Sequence, residues 1–125
     1  MIAIKTAIKS TLIIDKDEYN NTNLKSIFNE KGLLLDTISD ENDYMEKIES
    51  NRYNCVMIDS ELPNNQTSKI VDEIKGYYPW IIVVIFLKTL DYTKIIKFVR
   101  LGVDDFLVKP FSWDDLEQLL KHYYY

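Results

Sequence analysis

The chain has 125 residues, a one-domain length, with 46% hydrophobic and 28% charged side chains. That composition excludes a disordered chain and supports one packed core. Twenty acidic against fifteen basic side chains leave a net charge of −5, which argues against direct nucleic-acid binding by bulk charge and suits a partner that is another protein.

The one cysteine, Cys55, excludes an internal disulfide framework and fits a reducing compartment. The opening MIAIKTAIK is too short and too interrupted by lysine for a secretory segment. The longest apolar run, WIIVVIFL, has eight residues, far below the roughly 20 that span a bilayer. A cytoplasmic protein without a membrane segment is expected.

Short apolar runs alternate with stretches of helical period. TLIID (11–15) reads as a strand, and Leu24, Ile27 and Phe28 then recur at helical spacing up to a cap at Gly32. LLLDT (33–37) is a second strand. Ser39 and Asp40 are candidate caps of a helix that buries Met45 and Ile48. CVMID (55–59) is a third strand, followed by a turn at Pro63 and the Asn pair. Thr67 or Ser68 then caps a helix carrying Ile70, Val71 and Ile74. IIVVIFL (81–87) is short, continuous and β-branched, as a strand buried on both faces should be. Ile95, Ile96 and Val99 mark a helical face closed by Gly102, FLV (106–108) is the last strand, and Ser112 caps a final helix with Leu116, Leu119 and Leu120 inward.

Five strands and five helices in strict alternation predict one parallel sheet with helices on both faces, a three-layer α/β sandwich. No repeat or linker interrupts it, so residues 1–125 are read as a single domain with its core at about 11–120. Ligands of such a sheet bind beyond the carboxyl ends of the strands. Those ends carry Asp15, Lys16 and Asp17, then Asp59, then Leu87 and Lys88, and finally Lys109 and Pro110. Carboxylates and lysines thus converge on one rim. Asp15 could also cap the first helix, and Asp104 and Asp105 read as turn acids before the fifth strand. His122 reads as a solvated or helix-terminal side chain.

LIIDKD, VMIDSELP and LGVDDFLVKPF resemble the receiver domains of bacterial two-component response regulators of the chemotaxis-regulator type. The resemblance runs from about Thr11 to Leu120. It implies a flavodoxin-like (βα)5 sandwich that accepts a phosphoryl group from a kinase histidine, with Asp59 as acceptor. It implies Mg2+ held by an acidic pair after the first strand, by Asp59 and by the backbone carbonyl of Glu61. It also implies a pocket lysine at Lys109, a cis peptide before Pro110, and an aromatic switch position at Phe106. A carboxylate is a weak nucleophile toward phosphorus, so positioning and charge neutralisation carry that chemistry.

The pattern is broken in two places. Lys16 stands where the second acid of the metal pair belongs, and an ammonium has no lone pair to offer a cation. A +1 and a +2 charge about 4 Å apart repel by about 8 kcal/mol at an effective dielectric near 20, so the Mg2+ site is expected to be weakened or absent. One reading makes the Lys16 ammonium a stand-in for the ion, paired with Asp15 and Asp59; the plain one leaves it on the surface with its stem packed. Leu87 stands where the family has its switch Ser/Thr, with Thr89 two residues on. Thr67 also replaces a glycine usual after the loop proline, which predicts a different turn.

The expected function is therefore an atypical receiver, with a conventional phosphorylatable receiver as the alternative. A small phosphatase-like enzyme on the same fold is a remote third, because no insertion for a substrate is apparent. The expected partners are a histidine kinase or another signalling protein. An effector domain or a second copy would use the 92–106 and 113–124 face, with Tyr92, Lys94, Lys97 and Phe106. Leu119 stands where winged-helix regulators carry a basic residue for dimerisation, which argues against a dimer of that kind.

Overall fold

Side chains alternate along each strand, and here both resulting sets are apolar. The computed structural model describes residues 7–39 and 41–123. Five strands, β1 (Ser10–Ile14), β2 (Leu34–Ile38), β3 (Cys55–Asp59), β4 (Ile82–Leu87) and β5 (Asp105–Val108), form one parallel sheet in the order β2-β1-β3-β4-β5. Five helices alternate with them: α1 (Glu18–Glu30), α2 (Tyr44–Ser50), α3 (Gln66–Tyr77), α4 (Tyr92–Arg100) and α5 (Trp113–His122). This is the three-layer sandwich expected from the alternation, with the flavodoxin-like strand order that the resemblance implies.

One face of the sheet presents Leu12, Ile14, Val56, Ile58, Val83 and Ile85 to Ile48, Ile70, Val71, Ile74 and Phe98 of α2, α3 and α4. The other presents Ile13, Met57, Val84, Phe86 and Leu107 to Leu24 and Phe28 of α1 and Leu116 and Leu119 of α5. Burial on both faces explains why β3 and β4 are continuous apolar runs rather than alternating ones. Each such fully buried aliphatic contributes about 1.5–3 kcal/mol.

The helix ends show where local chemistry acted. Gly32 and Gly102 take φ of 71° and 102° after α1 and α4, a region costly for side chains with a Cβ. Ser112 caps α5 through a reciprocal box with Asp115.

Four local expectations are corrected. Asp15 does not cap α1; Asp17 does, its Oδ1 accepting the Asn20 N–H at 3.1 Å. Ser39 does not start α2, which is entered through a 3-10 turn at Glu41–Asp43 and buries Tyr44 with Ile48, leaving Met45 half-buried; Asp40 lies outside the described residues. Neither Thr67 nor Ser68 caps α3. The chain enters it through two left-handed asparagines, Asn64 (φ 57°) and Asn65 (φ 56°), a conformation asparagine tolerates better than most residues. On α4 the buried side chain is Phe98, with Ile95 half-buried and Ile96 and Val99 facing outward.

Candidate functional site

The strand order reverses between β1 and β3, the point where open α/β sheets bind ligands. Asp15 follows β1 and Asp59 ends β3, so the two carboxylates flank that point. Lys109 follows β5, and its backbone N–H donates to the Leu87 carbonyl at 2.7 Å, tying the β5 tip to β4. The Lys109–Pro110 peptide is cis.

Asp15 is the most completely wired group of the rim. It is 2% exposed. Its Oδ1 accepts the Asp17 N–H at 3.0 Å, and its Oδ2 accepts from Asn20 Nδ2 at 3.4 Å and pairs with the Lys109 ammonium. Asn21, buried in the first turn region of α1, donates from Nδ2 to the Asp15 carbonyl at 2.8 Å. A buried carboxylate needs such a set, because desolvation without partners is costly.

Asp59 is half-buried. Burial raises its carboxyl above the ordinary value, and the Asp15 charge raises it further, while Lys109 and the Glu61 backbone N–H pull it down. Its main chain is held from below: Thr67 Oγ1 donates to the Asp59 carbonyl at 2.7 Å and accepts the Leu62 N–H at 3.3 Å. Glu61 is exposed, and its carboxylate meets Lys94 of α4 at 3.3 Å.

These residues open onto a cleft of about 750 Å³ lined by Asp15, Lys16, Asp17, Asp59, Glu61, Lys88 and Lys109, which continues between α1 and α5 past Tyr19 and Trp113. Lys16 is exposed and lines the cleft, and the Lys109 ammonium pairs with Asp15. Leu87 is 1% exposed and belongs to the core under α3 and α4. Phe106, on β5, packs half-buried against the same core. Thr89 is exposed beyond the β4 tip. Asp104 lies at the opposite end of the sheet, where Oδ2 accepts the Val83 N–H at 2.9 Å and pairs with Lys75 at 2.7 Å. Asp105 belongs to β5 itself. His122 stacks edge-on with Tyr123 at 4.8 Å.

The parts that three residues play at the site were not read from sequence. Asp17 was legible as an Asp immediately before a helical pattern, a helix-start signal. Asn21 carried no such signal and Thr67 carried one for a cap it does not form; both act on backbone carbonyls brought near only by the fold.

Two carboxylates and a lysine gather at the strand tips of a doubly wound sheet whose first turn lacks the glycine-rich loop of a nucleotide binder. The family model for the response regulator receiver domain matches residues 11–121; the chain belongs to that family, the receiver domains of two-component response regulators. It is 23% identical over 117 residues to the transcriptional regulatory protein CrdR of Helicobacter pylori, a match covering 93% of this chain and 55% of that protein. A two-component response regulator from Clostridium difficile superposes with a TM-score of 0.84 at 25% identity, over 91% of this chain and 93% of that one. The beryllofluoride-activated NtrC4 receiver domain dimer superposes equally well, also at 25% identity, over 92% and 95% of the two chains. The chain spans about half or less of the length of most curated relatives it matches. Among the described residues, no helix is long and apolar enough to cross a membrane.

Proposed function

We propose that this chain is an atypical cytoplasmic receiver, in which Asp59 holds the acceptor position and a lysine of the protein supplies the positive charge that Mg2+ supplies elsewhere. Receiver domains as a rule bind Mg2+, but the residues of this rim do not fit the ion. Lys16 stands in the place of the second acid, and an ammonium has no lone pair to offer a cation. The observation that carries the reading is the Lys109 ammonium paired with the buried Asp15 carboxylate. In this reading the cation is Lys109, where the sequence had offered Lys16 as the stand-in. Leu87 offers no donor to a phosphoryl oxygen, so phosphorylation at Asp59 would lack its usual link to loop movement.

Signalling then runs through protein contacts, with a histidine kinase or another signalling protein on one side and an effector domain or second copy on the other. The face for the latter is α4–β5–α5, where Ile96 and Val99 are 52% and 53% exposed beside Lys97 and Arg100. An exposed aliphatic pair on a helix of basic outer edge marks a contact surface.

The test is incubation with acetyl phosphate, with and without Mg2+, followed by intact mass. No stoichiometric adduct, or one indifferent to Mg2+, is expected. A stoichiometric, Mg2+-dependent adduct that disappears in Asp59→Asn would restore the conventional phosphorylatable receiver. Conversely, Lys16→Asp should create Mg2+ binding measurable by calorimetry, and its failure to do so counts against Lys16 as the obstacle.

A further inference from the structure

The lysine at the rim has a second carboxylate partner, outside the acceptor pattern. Besides Asp15, the Lys109 Nζ lies 3.5 Å from Asp17 Oδ2. Its Nζ also lies over the Phe86 ring, 5.2 Å from the centroid. Asp59 is not among the ion-pair partners of this lysine. An ammonium carries three protons and no acceptor, so two carboxylates on one side bias where it points.

Asp17 is well placed for that bias because it is itself fixed at both ends. Its N–H donates to Asp15 Oδ1 at 3.0 Å, and its own Oδ1 receives the Asn20 N–H at 3.1 Å as the cap of α1. One oxygen therefore anchors the helix and the other faces the lysine. The helix start and the cation share a single carboxyl group.

We propose that Asp17 is a positioning residue for Lys109. With Asp15 it forms a two-carboxylate clamp that parks the ammonium at the β1 tip, out of ion-pair contact with Asp59. The inference rests on the reading of Lys109 as the resident cation, and adds what decides its position. The Asp17 side chain is 43% exposed, so its share is a factor of a few, in keeping with half-exposed pairs.

Asp17→Asn separates the two duties, since asparagine caps a helix about as well as aspartate but carries no charge. In the full chain without Mg2+, side-chain NMR of Lys109, assigned by loss in Lys109→Arg, should show shifted Nζ and Cε resonances. Exchange of its ammonium protons should rise roughly two- to fivefold, with the Lys75 signals unmoved and Asp17→Glu restoring the parent values. Unchanged Lys109 signals in Asp17→Asn overturn the clamp. A Mg2+ titration of the unaltered protein judges the underlying reading separately: displacement of Lys109 at low millimolar Mg2+ overturns the resident cation, whatever Asp17→Asn shows.

Discussion

Two lysine–aspartate pairs sit at opposite ends of the same sheet, and they differ in what else the lysine touches. At the foot, Lys75 donates to Asp104 Oδ2 at 2.7 Å and also to the Ile81 carbonyl at 2.8 Å, while Asp104 receives the Val83 N–H. Gly102 lies against the stem, so close that a Cβ there would meet Lys75 Cγ at 3.2 Å. A side chain of α3 and one from the turn before β5 are thus fastened to the backbone at the start of β4. At the rim, the described partners of the Lys109 ammonium are two carboxylates and a ring face. A lysine bonded to backbone is part of the scaffold; one bonded only to side chains is exchangeable. The same two residue types therefore make a fastener in one place and a site in the other.

The sharpest way to break that contrast is Lys109→Met. It leaves the Asp15 carboxylate buried without its cation, and should destabilise the fold by about 3 kcal/mol in denaturant unfolding. A neutral result would mean that Asp15 rehydrates through the cleft and that the pair is dispensable. Asp104→Ala should cost less, about 2 kcal/mol, because the Val83 N–H and Lys75 lose a shared acceptor at a half-exposed position. It should also leave the Lys109 NMR signals unchanged; movement there would show that the two ends are coupled.

The smallest effect has the opposite sign. The folded form of Asp59 holds its proton more tightly than the unfolded chain does. Stability from this group is therefore fully present below the unfolded value near pH 4 and is lost as pH rises through the folded one. Asp59→Asn removes that loss. It should stabilise the protein at pH 7 by up to about 1 kcal/mol after solvent screening, with the difference vanishing below about pH 4. A variant less stable than the parent at pH 7 would show that the carboxylate is held by more than the Glu61 N–H and Lys109.

The architecture was legible because each level of the sequence agreed with the next: apolar runs too short for helices, helical faces between them, glycines at two helix ends. The rim was legible in its main groups, because strand tips are where sheet ligands gather, and Asp15, Asp59 and Lys109 each end or follow a strand. The pairing within the rim was not. Lys109 and Asp15 stand 94 residues apart, so only the fold brings that pair together. The α4 face was misjudged for a related reason. Ile95, Ile96 and Val99 have helical spacing, but spacing alone does not say which stripe faces inward, and Phe98 filled the core instead.

The hydroxyl of Thr67 gives the acceptor loop a built-in clock. One oxygen both donates to the Asp59 carbonyl and accepts the Leu62 N–H, so the loop cannot lift without exposing that amide to water. The hydrogen-exchange rate of Leu62 consequently counts loop openings, in the resting protein and with no ligand added. Thr67→Val, nearly the same shape without the hydroxyl, should set that clock running about tenfold faster, as losing roughly one hydrogen bond predicts.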